Sequence, residues 1–125
     1  MGLMQRRKGV RGELEAAELL RSVFPEARRR VTGEEAQLVD RGRDIAGTPG
    51  FAFQVGVGRG DKPRIHAKIA EATAVAGPDD IGVAMLKVDR EAWSFHMSAE
   101  EFFALVRRLQ LAESRAVRAD CVVLE

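Results

Sequence analysis

Apolar residues recur at helical spacing from Gly12 to Phe24, where Leu14, Ala17, Leu20 and Phe24 share one stripe. Pro25 ends that helix, because its ring cannot continue the hydrogen-bonded turn. Residues 27–31 read as an edge strand with Arg28 and Arg30 on one face and Arg29 on the other, and 32–42 read as polar loop. A short apolar segment, Asp44-Ile45-Ala46, meets the turn Gly47-Thr48-Pro49-Gly50, in which Pro49 fixes φ and Gly50 permits positive φ. Phe51 to Val57 then alternates, with Phe51, Phe53, Val55 and Val57 on one face and Ala52, Gln54 and Gly56 on the other. Pro63 suits the first position of a helix carrying Ile65, Ile69, Ala72 and Ala76, which Gly77-Pro78 ends. The continuous apolar run Ile81 to Val88 is an interior strand, Asp89-Arg90-Glu91 a turn, and Trp93, Phe95 and Met97 the inward positions of a further strand, with His96 outward. Ser98 and Glu101 form a capping box for a last helix that buries Phe102, Val106 and Leu109. Residues 111–125 are read either as a final strand at Cys121–Leu124 or as a segment that docks on a second subunit. Strands alternating with helices predict one α/β domain over 1–125, a mixed β-sheet flanked by helices.

Composition narrows this frame. A chain of 125 residues, 46% of them hydrophobic, is long enough to bury one real core. The net charge is only +1, so nucleic-acid binding must come from local basic clusters rather than a basic field over the whole domain. Residues 1–12 form such a cluster, a basic arm with Arg6, Arg7, Lys8 and Arg11. Its alternative is an ordinary solvated terminus. A single cysteine, Cys121, fits a reducing compartment, and no apolar run approaches the ~20 residues that span a bilayer, so cytoplasmic residence without a membrane partner is expected. The absence of tyrosine excludes enzymes that link DNA covalently through a phenolic oxygen. Gly56-Val57-Gly58-Arg59-Gly60 lacks the spacing of either glycine-rich phosphate loop, so no nucleotide cofactor is expected. His66 has no second histidine or cysteine at ligand spacing and is expected to be exposed or polar-paired.

Two short motifs carry a resemblance. Gly9-Val10-Arg11-Gly12-Glu13 opens the first helix, and Asp44 is followed, across the Pro-Gly turn, by Gln54-Val55-Gly56. This layout resembles the PD-(D/E)xK nuclease superfamily, and within it the Holliday-junction-resolvase-like endonucleases often carried by phages. Over residues 8–110 the resemblance implies an αβββαβ restriction-endonuclease-like core. It also implies hydrolysis of phosphodiesters in branched or junction DNA, Mg²⁺ (or Mn²⁺) as cofactor, and a homodimer with two sites for two strands. Glu13 from the first helix and Asp44 take the carboxylate positions, Val55 offers its backbone carbonyl, and the family's Glu and Lys positions read Gln54 and Gly56.

Gln54 can ligate through its amide oxygen but brings no charge, and Gly56 supplies nothing. Lys62, Lys68 and Lys87 are the lysines that could stand in for the missing one, and Lys68, on the second helix, is the expected substitute. Restoring a lysine at Gly56 is expected to raise cleavage without disturbing the inward face of the strand. The implied phosphate contacts are Arg6, Arg7, Lys8, Arg11, Arg29, Arg30, Arg59 and Lys62. Two alternatives stand beside the nuclease: a non-catalytic DNA-binding or assembly module on the same fold, and a small structural protein whose charges are ordinary surface.

Overall fold

The computed structural model describes residues 2–30, 43–58, 64–88 and 90–124, with side chains from residue 9 to residue 119. The described order is α1 (Gly2–Leu20), β1 (Arg28–Arg29), β2 (Ile45–Ala46), β3 (Phe51–Gly58), α2 (Ile65–Ala76), β4 (Ile81–Val88), β5 (Ser94–His96) and α3 (Ala99–Leu124). This is a mixed α/β fold. β3 and β4 pair in parallel, with Phe51 opposite Ile81 and Gly58 opposite Val88, and β4 pairs antiparallel with β5. β1 and β2 form a separate antiparallel pair. The expected loop at 32–42, Pro63 and Asp89 lie outside the described residues, as do Arg59 and Lys62. No helix among the described residues is long and apolar enough to cross a membrane.

The turn chemistry is as expected. The Phe51 amide donates to the Thr48 carbonyl at 3.0 Å, Gly50 sits at φ 83°, and the Thr48 hydroxyl donates to the Phe51 carbonyl at 3.1 Å. That turn launches β3, whose two faces differ in size. Phe53, Val55, Ile81, Val83 and Met85 pack against Ala16, Ala17 and Leu20 of α1, with Ala104 and Leu105 of α3 beside them. Phe24, Phe51, Phe53 and Phe95 join this layer through ring contacts of 5.5–6.3 Å between centroids. The other face carries Gln54 among the small residues Ala52, Gly56, Gly82 and Ala84, and at the small positions the α2 backbone approaches closely. A Cβ on Gly82 would stand 2.5 Å from the Ala72 carbonyl oxygen. Backbone cannot rotate away as a side chain can, so Gly82→Ala is expected to cost about 1–3 kcal/mol, read as a lowered midpoint in thermal or denaturant unfolding. An unchanged midpoint would show that α2 does not sit this close.

Several expectations are corrected. The basic arm is not separate: α1 already starts at Gly2, so Arg6, Arg7, Lys8 and Arg11 lie on helix. Its first turns lack an apolar stripe, and the Leu-Met-Gln-Arg-Arg-Lys run forms helix by propensity instead. The tail is helix as well, since α3 runs on to Leu124 and no strand forms at 121–124. Strong helix formers from Ala112 to Ala119 extend it past the end of the body. Its inner face is Ala104 and Leu105, while Phe102 and Leu109 are exposed. Ser98 does cap it, with the Glu101 amide donating to the Ser98 hydroxyl at 3.1 Å. The Glu101 carboxylate does not close the box. It accepts the Gly82 amide at 3.0 Å, filling the ladder position that the short β5 leaves open. Leu14 and Ile65, expected on buried stripes, are exposed, as is about half of Phe95. The other marked positions, Ala72 and Ala76 on α2 and Ala17 and Leu20 on α1, are buried.

Candidate functional site

Asp44 ties two strand pairs together. Its amide donates to the Phe53 carbonyl at 3.2 Å, and its carbonyl accepts the Arg30 amide at 3.0 Å. Its carboxylate oxygen Oδ2 accepts the Val55 amide at 2.8 Å, taking the place of a strand carbonyl. Arg43, the preceding residue, is anchored to the end of α2 through the Ala76 carbonyl at 3.1 Å and the carboxylate of Asp80. The Asp44 backbone is thus fixed from both sides. In a strand the amide and carbonyl of one residue point the same way, so Val55 also turns its carbonyl toward the Asp44 edge. Burial pushes the Asp44 carboxyl above its ordinary value; the Val55 hydrogen bond opposes this, the charge of Glu13 adds to it, and Lys68 and Arg30 offset part of it.

Glu13 reaches the same neighbourhood from α1. The glycine before it explains how: a Cβ on Gly12 would lie 2.5 Å from Val57 Cγ2, so only glycine lets α1 settle onto β3 at this point. The Glu13 carboxylate accepts Arg29 Nε at 2.6 Å, with the two side chains 24% and 34% exposed. Arg29 stands opposite Ile45 in the β1–β2 register, one residue from Asp44. Sequence reasoning placed Arg29 as a phosphate contact and missed its partner, which lies sixteen positions earlier in the chain.

Gln54 is 5% exposed on the α2 side of β3 and is hydrogen-bonded or otherwise partnered. Gly56 is buried on that same side. The space beside it is taken: a Cβ there would meet Leu86 Cδ2 at 2.8 Å, Lys68 Cε at 3.3 Å and Lys68 Cγ at 3.5 Å. The Lys68 stem therefore lies across Gly56, with Nζ donating to Glu71 Oε2 at 3.1 Å. A side chain at Gly56 would have to displace Leu86 Cδ2, on the face opposite the inward row of Phe53 and Val55.

Lys87 is accounted for elsewhere. It shares the Val57 register on the opposite face of the sheet, donating to Glu15 at 3.4 Å with Nζ 5.8 Å from the centroid of the Trp93 ring. His66 is exposed, and His96 pairs with the Ser94 hydroxyl at 2.8 Å.

The donor set at this edge is two carboxylates, a backbone carbonyl and a neighbouring amide. No group of three or more His, Cys, Asp or Glu residues at metal-binding separation occurs among the described residues. Carboxylate and carbonyl oxygens are the donor type that Mg²⁺ takes, usually one or two protein carboxylates with several waters kept. Arg11 is exposed on α1, and Arg29 and Arg30 are half-buried on the flank of the site. The side chains of Arg6, Arg7 and Lys8, with all of Arg59 and Lys62, are outside the described residues. Comparison of the chain with protein families, with curated proteins and with solved structures finds no match.

Proposed function

We propose that this protein is a metal-dependent, structure-specific DNA endonuclease of the Holliday-junction-resolvase type, built on an αβββαβ core and working in the cytoplasm. The observation that carries the reading is Lys68 lying across Gly56, where the superfamily it resembles has its lysine. Glu13, Asp44 and the Val55 carbonyl would hold Mg²⁺ or Mn²⁺, with the Gln54 amide oxygen as a neutral fourth donor. The bound ion supplies polarisation of a phosphoryl oxygen and a water of lowered pKa. The Val55 amide fixes one Asp44 oxygen and so orients the other. Lys68 sets a positive charge beside the site, where negative charge develops on the phosphate. Arg11, Arg29 and Arg30, with Arg6, Arg7, Lys8, Arg59 and Lys62, are the phosphate contacts of this reading.

DNA held this way is sensed through its charge and shape. Affinity for a four-way junction should exceed that for plain duplex, and both should fall by about 10³-fold or more between 50 and 200 mM salt if six or more phosphates are neutralised. Titration of both DNAs at the two salt concentrations checks this, with chelator-sensitive nicking of the junction as the catalytic readout. Salt-independent binding, or none, contradicts it. A second reading, a non-catalytic DNA-binding or assembly module, draws on the charges that already neutralise each other at the site, Glu13 with Arg29 and Lys68 with Glu71. Junction binding without nicking would select it.

The same proposal makes the protein a homodimer. Support comes from α3, which exposes Phe102, Phe103, Leu109, Leu111 and Val117. Leu109, Ala112, Ala116 and Ala119 continue at three–four spacing, the seam spacing of a two-stranded coil of two copies. Sedimentation equilibrium should give twice the chain mass for the unmodified protein and the monomer mass for Ala116→Glu; a monomer in both cases rules this surface out.

A further inference from the structure

The closest charge contact at the site belongs to a residue that the reaction does not need in that place. Arg29 Nε meets Glu13 Oε2 at 2.6 Å, yet Glu13 is also one of the two carboxylates that would face a cation. The contact is single-point, through Nε and one carboxylate oxygen, and not the two-point fork that makes arginine–carboxylate pairs hard to displace. Both side chains remain reachable by solvent. Around them stand Asp44, whose carboxylate is partly buried and feels the Glu13 charge, and the cations Arg30 and Lys68. Without Arg29, less positive charge would offset the repulsion between Glu13 and Asp44. With a divalent ion between them, Arg29 in its present position would repel the ion.

We propose that Arg29 is the resident counter-ion of this site: it neutralises Glu13 while no divalent cation is bound, and gives Glu13 up when one binds. Arg29 is thus a positioning residue that keeps the carboxylate aimed at the site and sets the cation affinity. Its release also frees a guanidinium at the flank where a DNA phosphate would lie. The inference rests on the cation site proposed above.

The test is Mn²⁺ affinity by isothermal titration calorimetry, with no DNA present. Arg29→Gln removes the competing charge and should tighten Mn²⁺ binding by about 10-fold, the size of a one-unit effect of a neighbouring charge. Arg29→Lys, which keeps the charge, should remain near the unmodified protein, and Glu13→Gln should weaken binding. A purely structural role, in which Arg29 only pins α1 to β1, predicts the opposite: weaker or unchanged binding for Arg29→Gln.

A second measurement needs no destabilising variant. In ¹⁵N NMR of the unmodified protein, the Arg29 Nε–H resonance, assigned by its loss in Arg29→Lys, should shift as Mg²⁺ is added. A resonance that stays fixed while Mg²⁺ binds overturns the proposal. Absence of any divalent-cation binding by the unmodified protein removes the site itself, and this inference with it. Binding that depends on Asp44 but is not tightened in Arg29→Gln leaves the site standing and removes only the role of Arg29.

Discussion

Lys68→Ala should lower single-turnover cleavage of a branched DNA by about 10²–10³-fold while leaving DNA affinity within a few-fold, the size expected when one preorganised positive group is taken from a developing oxyanion. The physical basis is the packing of the lysine stem. Its Cε and Cγ lie 3.3 and 3.5 Å from where a Cβ on Gly56 would stand, so the stem lies over β3 in the space the glycine leaves. The ammonium group is close enough to act on the Asp44 carboxyl, and the Glu71 contact orients it. Lys68→Arg should recover part of the rate, because charge is kept while shape is not. The same geometry predicts that Gly56→Lys does not help. Its Cβ would press on Leu86 Cδ2 at 2.8 Å and displace Lys68, so about 1–3 kcal/mol of stability and much of the activity should be lost together. Stable, faster cleavage by Gly56→Lys would mean that Lys68 is a bystander.

Asp44→Asn should separate stability from function. Divalent-cation binding and cleavage should fall by about 10²-fold or more, since the site loses one of two carboxylates. The cation-free fold should be at least as stable as that of the unmodified protein at neutral pH. Burial raises the Asp44 carboxyl in the folded state above its unfolded value. A raised carboxyl contributes stability that is fully present below the unfolded value and is lost as pH rises through the folded one. The unmodified protein should therefore lose ground to Asp44→Asn from about pH 4 upward, until Asp44 is fully ionised. An asparagine oxygen can still accept the Val55 amide, so the strand junction survives. Adding Mg²⁺ should stabilise only the unmodified protein, by linkage to its binding. Denaturant midpoints at three pH values, with and without Mg²⁺, check both halves. A variant that is less stable at neutral pH without metal would mean that Asp44 is held mainly for structure.

What could be read in the chain divides along physical lines. The Pro49-Gly50 turn, the two faces of β3, the interior strand β4 and the end of α2 at Gly77 follow from local chemistry and period, and they are where the pattern put them. The helical stretches at 2–11 and 111–124 were not legible, because residue propensity is a weaker sequence signal for helix than a long apolar stripe. The capping glutamate at 101 was misdirected because its real partner, the Gly82 amide, is open only when β5 is too short to cover it. At the candidate site, Asp44 and Glu13 were singled out through the nuclease resemblance, Asp44 as the opening of a short strand and Glu13 through a Gly-Glu pair expected at a helix start, which lies in the middle of α1. Their consequences were not legible. That Arg29 holds Glu13, and that Lys68 fills the space over Gly56, depends on how α1 and α2 cross β3.

The central claim is that Glu13, Asp44 and Lys68 form a working hydrolytic site although Gln54 and Gly56 replace two residues of the nuclease pattern. The most direct measurement is single-turnover cleavage of a four-way junction by the unmodified protein at saturating protein concentration, in Mg²⁺ and in chelator. The account predicts nicked products in Mg²⁺, none in chelator, and nicking slowed by about 10²-fold or more for Asp44→Asn in Mg²⁺. A junction that is fully bound yet intact in both Mg²⁺ and Mn²⁺ would contradict it.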